Sequence, residues 1–590
     1  MAHGTSGDHR PKQLWWGKPS PANRSGAGRT PGPRTFAEMA DTSAVTASSR
    51  VRNVFPSSDP AQRFKAGGLI DDAGRIADAA ALHALMVKLA ECIDHASRTV
   101  PGDNPKLPSG YTYLLQFIAH DMSDSVSSLV MEDGAMRPGG LNMRQRPLML
   151  ETLYGGGPES HAHAFAVSEA VLVPNSDGLR TRLRVGQLRP PEPGSRTVYC
   201  PYRDLARAQV PEDDDVPDAF RRFYTEVHVA DRRNDAHAFI SQLTVLFQLL
   251  HNSIVRRLEE LPDGPLPLQE AHRRYLCART LVTLIYREIL MTDVLPRILH
   301  PAVLQRYRNE HKPLLDDDPS VPVEFAHGAF RFAHAIVRDE YDVRGEGPKA
   351  TFIGLTFNSA SSPKVIKVPP TQIWFVDWAR FFETAKTVGK PNLSKLIGPH
   401  YPSALRNGGL FPRKTDADME GLANRDLLSA CYGGLLSAPA LSAKFQTIFG
   451  AQLVRSYDDW KAPLRAWLTA HWSVAPGAQP PAADVDRLVN DPPLPFFLMF
   501  EAEQACQGTT LGPIGSIIVA ETIYGIITTS LTGFEDAGAT LGARLEACAA
   551  AMFPDRAPAA RSIAAELGGL TTMPAMLEHL AAIGELPPVP

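Results

Sequence analysis

Gln116 and His120 stand four residues apart in the apolar stretch Tyr113-Leu-Leu-Gln116-Phe-Ile-Ala119-His120-Asp121. On a helix, residues at that spacing share a face. A neutral imidazole beside an amide can take a proton from a small polar substrate and hand it back. Arg233, in Asp231-Arg232-Arg233-Asn234-Asp235, is a permanent charge suited to stabilising charge that develops as a bond breaks. His334, in Ala329-Phe-Arg331-Phe-Ala-His334, could ligate iron through one ring nitrogen while the other donates to an acceptor that fixes the ring. Arg331, three residues earlier on the same face, could hold a carboxylate. Each segment alone has a plainer reading. A lone histidine is usually a satisfied core residue. Arg-Arg-Asn-Asp is usually a solvated loop with Asn234 or Asp235 as a helix cap.

The elements that must position these side chains are mostly helices. The periodicity predicts helices over Ala79–Ala96 (with Asp78 as N-cap), around Gln116 and His120, and over Phe239–Leu261, Glu270–Leu290 and Val323–Val337. Further helices are expected over Leu422–Leu436, Phe496–Cys506, Pro513–Ser530 and Ala537–Phe553. Val100–Gly110 reads as a Pro/Gly loop, as does most of Ser123–Tyr199, with the turn signal Tyr154-Gly-Gly-Gly-Pro158. Within the latter, Ala166–Val173 and Thr181–Val185 read as short strands. The middle, Val343–Asp418, is loop-rich, and nothing repeats at a fixed period. The expected fold class is therefore mainly α, with long loops and few short strands.

The bulk numbers narrow the classes. In a chain of 590 residues with a net charge of -4, nothing favours nucleic acid or an anionic membrane as partner. The six cysteines are scattered without a CxxC pair, which speaks against a zinc site or disulfide framework and for a reduced compartment. Residues 1–60 are rich in Gly, Pro, Ser and Arg and read as a disordered arm before one domain over 61–590. Met1–Thr30 lacks the apolar core of a secretory signal, so a cytoplasmic location, or export without a cleaved signal, is expected. The apolar run Ile514–Leu531 is broken by Gly515, Ser516 and Glu521 and reads as a buried helix, with no membrane span expected.

Taken together, Gln-x-x-x-His-Asp, then Asp-x-Arg-Asn with His251-Asn252 eighteen residues after the arginine, then Phe-Arg-Phe-x-His, resemble the animal-type haem peroxidase superfamily, in its bacterial peroxidase-like branch. Leu150–Pro158, Trp374-Phe-Val-Asp377-Trp378, Leu422-Ala-Asn-Arg425-Asp426 and Leu511-Gly-Pro-Ile-Gly515 extend the resemblance over roughly residues 60–535. The resemblance implies a helical fold with haem between central helices. It makes His120 the distal base, Arg233 the distal arginine and Gln116 the distal glutamine that orders water or a halide. His334 becomes the proximal ligand of the haem iron, Arg331 a propionate partner, and Asp426 the acceptor for the proximal histidine. The partners implied are hydrogen peroxide and a small electron donor such as iodide, bromide, thiocyanate or a phenol.

The departures from that pattern are equally specific. The acidic residues that form ester links to haem in covalent relatives are here Ala119 and Ala236, so haem b held non-covalently is expected. His237 stands where the strongest oxidants have a methionine, and Ser429 where an arginine contacts a propionate. For a calcium ion only Asp121 and Glu151 are candidate carboxylates, since Met149 replaces the usual aspartate; a hard cation wants more oxygen ligands. Two alternatives remain open: a fatty-acid dioxygenase of the cyclooxygenase-like branch, and a haem-binding protein whose chemistry has faded. Arg331 occupies the position of the dioxygenases' radical tyrosine and argues against the first.

Overall fold

The computed structural model describes residues 52–586 apart from internal stretches, the longest being 167–179, 188–202, 208–226 and 358–374. Residues 1–51 of the segment read as an arm, most of the strand expected over 166–173, and Trp374 lie outside the described residues; the end of that segment is packed, with Val54 and Phe55 buried and the Val54 amide donating to Glu324.

The chain opens its helical part with α1 (Ala79–Ala96), where Asp78 caps the N-terminus by accepting from the Ala81 amide at 2.9 Å. The segment expected as a loop before the next helix is instead a strand, β1 (Asp103–Pro108), paired antiparallel with Leu393–Lys395. Its partner lies nearly three hundred residues away, which local patterning cannot show. Helix α2 (Ser109–Met122) follows directly, and every one of its residues is buried. A helix buried all round must satisfy its own polar side chains internally, and Thr112, Gln116, His120 and Asp121 are among those side chains.

Two long helices enclose α2. These are α3 (Ala238–Glu259) and α4 (Pro267–Ile289). Phe117 of α2 stacks on Phe247 of α3 with ring centroids 5.0 Å apart, and Tyr286 of α4 stands edge-on to both. Such contacts fix the rotation of α2 about its axis. The cap of α3 is neither Asn234 nor Asp235, as the sequence suggested, but His237, whose ring accepts from the Ile240 amide. Asn234 and Asp235 belong to a separate 3-10 turn, Arg232–Asp235, capped by Asp231. Among the described residues, α3 is the helix long and apolar enough to cross a membrane, and that stretch is wholly buried in the protein.

The continuous helix expected over Val323–Val337 is absent. A four-residue helix, Val323–Ala326, ends before Gly328, and a 3-10 turn carries Ala329–His334. Gly328 explains the break. A Cβ there would lie 2.5 Å from the Glu324 carbonyl oxygen and 2.7 Å from Leu494 Cδ2. The consequence for chemistry is direct, because side chains three apart eclipse on a 3-10 turn. Arg331 and His334 therefore line up over a single partner.

The C-terminal half supplies α5 (Leu422–Tyr432), α6 (Leu494–Cys506) and α7 (Pro513–Thr529). Glu501 on α6 is buried and accepts from the Ile514 and Gly515 amides at the start of α7. Helix α8 (Leu541–Met552), followed by Ala557–Ala565 and Met573–Ala582, packs on α4 and α3. Three amphipathic helices that the sequence reading passed over, Ala438–Phe449, Asp458–His471 and Ala482–Asn490, lie between α5 and α6.

Candidate active site

Three segments distant in sequence meet around His120. Its Nδ1 lies 2.8 Å from Asn234 Oδ1. Asn234 Nδ2 in turn donates to the Thr152 carbonyl oxygen at 3.2 Å and to its hydroxyl at 3.1 Å. An amide nitrogen facing a carbonyl fixes the amide's orientation, so Asn234 presents oxygen to the imidazole. The neutral ring therefore carries its proton on Nδ1, and Nε2 is the basic nitrogen. Asp121 closes the circuit by accepting from the Leu150 and Thr152 amides. Burial, with Arg233 adding to it, lowers the His120 pKa to about 3. The imidazole is thus neutral and ready to accept a proton across the physiological range.

Arg233 engages the backbone of the same helix end. Its Nη2 donates to the His120 carbonyl oxygen at 2.9 Å and its Nη1 to the Ser123 carbonyl oxygen at 2.7 Å. Its Nε and Nη2 also pair with Asp231, which Arg144 grips from a second side. Burial alone would raise the Asp231 pKa, but the two guanidinium groups hold it well below the ordinary carboxylate range. The guanidinium closes the C-terminal end of α2, where carbonyls lack helical partners. It reaches the His120 ring through its field.

Gln116, one helical turn before His120, is 1% exposed. Its Oε1 lies 3.0 Å from His237 Nε2. Its Nε2 is buried with no hydrogen-bond partner among the described residues. A buried amide donor left over in this way costs free energy unless a bound group accepts from it.

The second buried histidine is held as firmly. His334 Nδ1 lies 2.6 Å from Asp426 Oδ2. Arg331 Nη1 donates to Asp426 Oδ1 at 3.2 Å, and the Tyr401 hydroxyl donates to Oδ2 at 2.8 Å. Asp426, which could have been a surface carboxylate on α5, is 1% exposed. Burial pushes its pKa up, but His334 and Arg331 outweigh that and hold it below the ordinary range. Burial lowers the His334 pKa, with Asp426 opposing. The consistent state is a neutral imidazole beside an Arg331–Asp426 ion pair, which leaves His334 Nε2 as the basic nitrogen. The guanidinium of Arg331 is engaged by Asp426 through Nη1 and by the Ala326 carbonyl oxygen through Nε. Ser429 pairs with His327 Nδ1 at 2.7 Å.

Both Asp121 oxygens accept backbone amides, while Glu151 turns to the Gln145 amide and Arg146. Met149 Sδ faces Arg287. Among the described residues no group of three or more His, Cys, Asp or Glu could hold a metal ion. His251 and Asn252 do structural work: His251 faces the Tyr154 hydroxyl and the Thr181 carbonyl oxygen, and Asn252 pairs with both backbone groups of Leu183. Sequence reasoning missed Thr152, Tyr401 and the orienting role of Asn234. The last could have been suspected from its place beside Arg233; the first two come from remote segments with no local signal.

Comparison with known proteins finds likenesses to part of this chain and to its fold. The animal haem peroxidase family matches residues 175–368, a span that includes Arg233, Arg331 and His334 but neither His120 nor Asp426. A peroxidase-like protein of Margaritifera margaritifera is 27% identical over 165 residues, 26% of this chain; the match spans only 20% of that protein. A fatty acid alpha-dioxygenase of Arabidopsis thaliana shares the fold with a TM-score of 0.50 at 11% identity, over 85% of this chain and 75% of its own. Peroxidase A of Dictyostelium discoideum aligns over 85% of this chain and 90% of its own, with a TM-score of 0.49 and 15% identity. Residues 175–368 are thus similar to the animal haem peroxidase family, and the fold of the chain is the mainly helical one expected. The residues present fit haem. Helix α2 packs against the Ala329–His334 turn, so two buried imidazoles, each with Nδ1 engaged, stand on adjoining segments beside an unmatched Gln116 donor.

Proposed function

We propose that the protein is a haem peroxidase that reduces hydrogen peroxide and oxidises small electron donors. The observation that carries this reading is the matched pair of engaged imidazoles, His120 on Asn234 and His334 on Asp426. Haem, when bound, supplies an iron centre that can store the oxidising equivalents released from peroxide. His334 is the residue to hold the iron, and Asp426 draws on its Nδ1 proton, making Nε2 a stronger electron donor. His120 Nε2 takes the proton of peroxide and returns it to the departing oxygen. Burial, with Arg233 adding to it, keeps His120 unprotonated, and the guanidinium places positive charge at its backbone carbonyl. Gln116 offers its unmatched N–H to the distal ligand. Ala119 and Ala236 lack any group able to form an ester, so haem b is held non-covalently.

A spectrum of the purified protein before and after hydrogen peroxide tests the reading. A Soret band that shifts with peroxide and returns when iodide or a phenol is added is the expected result. A Soret band that is inert to peroxide would establish a haem carrier without turnover. The dioxygenase reading meets an obstacle in Arg331, which stands where the radical tyrosine would be and is tied to Asp426. Oxygen uptake on adding linoleate or arachidonate would restore it.

A further inference from the structure

His237 occupies a position for which the fold needs only a helix cap, yet it does two things at once. Its Nδ1 accepts from the Ile240 amide at 3.4 Å. A backbone N–H can only donate, so Nδ1 carries no proton and the neutral ring bears its hydrogen on Nε2. That Nε2–H points to Gln116 Oε1 at 3.0 Å. An amide that accepts on its oxygen must turn its NH2 the other way, and the Gln116 NH2 is the buried donor without a partner. The imidazole cannot rotate out of this role easily. It is 1% exposed and walled by the rings of Tyr113, Phe239 and Phe352, with centroids 5.3, 6.0 and 5.2 Å away.

We propose that His237 is a positioning residue that sets the polarity of the distal amide: it holds Gln116 so that N–H, rather than C=O, faces a ligand beside His120. The cap of α3 and the donor of the distal pocket are thereby one unit. A distal ligand that accepts hydrogen bonds, such as an anion or the terminal oxygen of peroxide, is favoured; one that can only donate is not. This rests on the reading above that haem occupies the space beside His120.

Fluoride binding to the ferric haem protein, followed in the absorption spectrum, tests the idea without turnover. His237→Gln keeps a donor for Gln116 Oε1, whereas His237→Glu of nearly the same shape offers only acceptors. With Gln116 present, His237→Gln is expected to bind fluoride close to wild type, and His237→Glu about tenfold more weakly, the loss of one hydrogen bond. His237→Leu, which removes the donor without adding charge, is expected to show the same loss. In a Gln116→Leu background the three variants are expected to bind alike. Equal fluoride affinity of the three with Gln116 present overturns the proposal, as does a difference that persists without Gln116. A wild-type protein with no Soret band overturns the peroxidase reading and this inference together; a Soret band with fluoride affinity indifferent to His237 overturns this inference alone.

Discussion

Proton bookkeeping at the residue level sets what this site can do. His120 is neutral because burial disfavours its charged form. Its folded pKa lies below the ordinary value, so its contribution to stability is complete above about pH 6.5 and is lost as pH falls towards 3. The rate of reaction with peroxide is accordingly expected to stay flat from about pH 5 to pH 8, in stopped-flow measurements, with respect to this group. His120→Ala is expected to lower that rate by about 10²–10⁴-fold. Tyr401 makes a second statement. It gives a hydrogen bond to the same Asp426 oxygen that His334 engages, which damps the charge that His334 feels. Removing it in Tyr401→Phe is expected to lower the haem reduction potential, whereas Asp426→Asn is expected to raise it. A hydrogen bond to a charged group contributes about 1.5 kcal/mol, or roughly 60 mV for one electron. Identical potentials in both variants would mean that the carboxylate does not tune the iron. Gln116, His120, Arg233 and His334 could be proposed from the sequence because each sits in a short motif and the motifs together carry a family resemblance. Thr152 and Tyr401 could not, because their importance lies in what they touch across the chain.

Among the elements, the break at Gly328 matters most. An unbroken helix would spread Arg331 and His334 over different angular positions; the 3-10 turn stacks them on Asp426. Gly328→Ala would force a methyl against the Glu324 carbonyl oxygen and Leu494. It is expected to cost about 1–3 kcal/mol in stability and to weaken haem retention, read by denaturant titration and by haem transfer to apomyoglobin. Apolar periodicity ran straight through this glycine, which is why the sequence suggested one long helix: Phe325, Ala329, Phe332 and Ile336 keep a plausible spacing. Strand β1 escaped for the opposite reason, since its partner is remote. Glu501 joins α6 to α7 and carries a pKa raised by burial to about 7. The sign is that of a raised group: its contribution is full below about pH 4.5 and fades as pH rises through 7. Glu501→Gln is expected to flatten the fall of Tm between pH 5 and pH 8 seen by scanning calorimetry; an unchanged slope would place that pH dependence elsewhere.

The whole molecule is built around one wholly buried helix, α2, whose few polar side chains became the site. Helices with a strong apolar stripe, such as Ala79–Ala96, were predicted to within a residue. The long segment around Arg233 was not, because its folding is dictated by Arg144, Thr152 and Asp231 rather than by its own pattern. Acid acetone is expected to extract the haem completely, as unmodified iron protoporphyrin by chromatography; colour left on the protein would reveal a covalent link through some other residue. The two alanines then reach beyond the pocket. A cofactor without a tether is held by mass action, so the loaded fraction tracks the free haem concentration divided by a dissociation constant. Relatives that weld their haem in place settle occupancy once, at maturation. Under the proposed function, Ala119 and Ala236 would leave occupancy open for the life of the protein, and the amount of loaded protein would become a readout of haem supply.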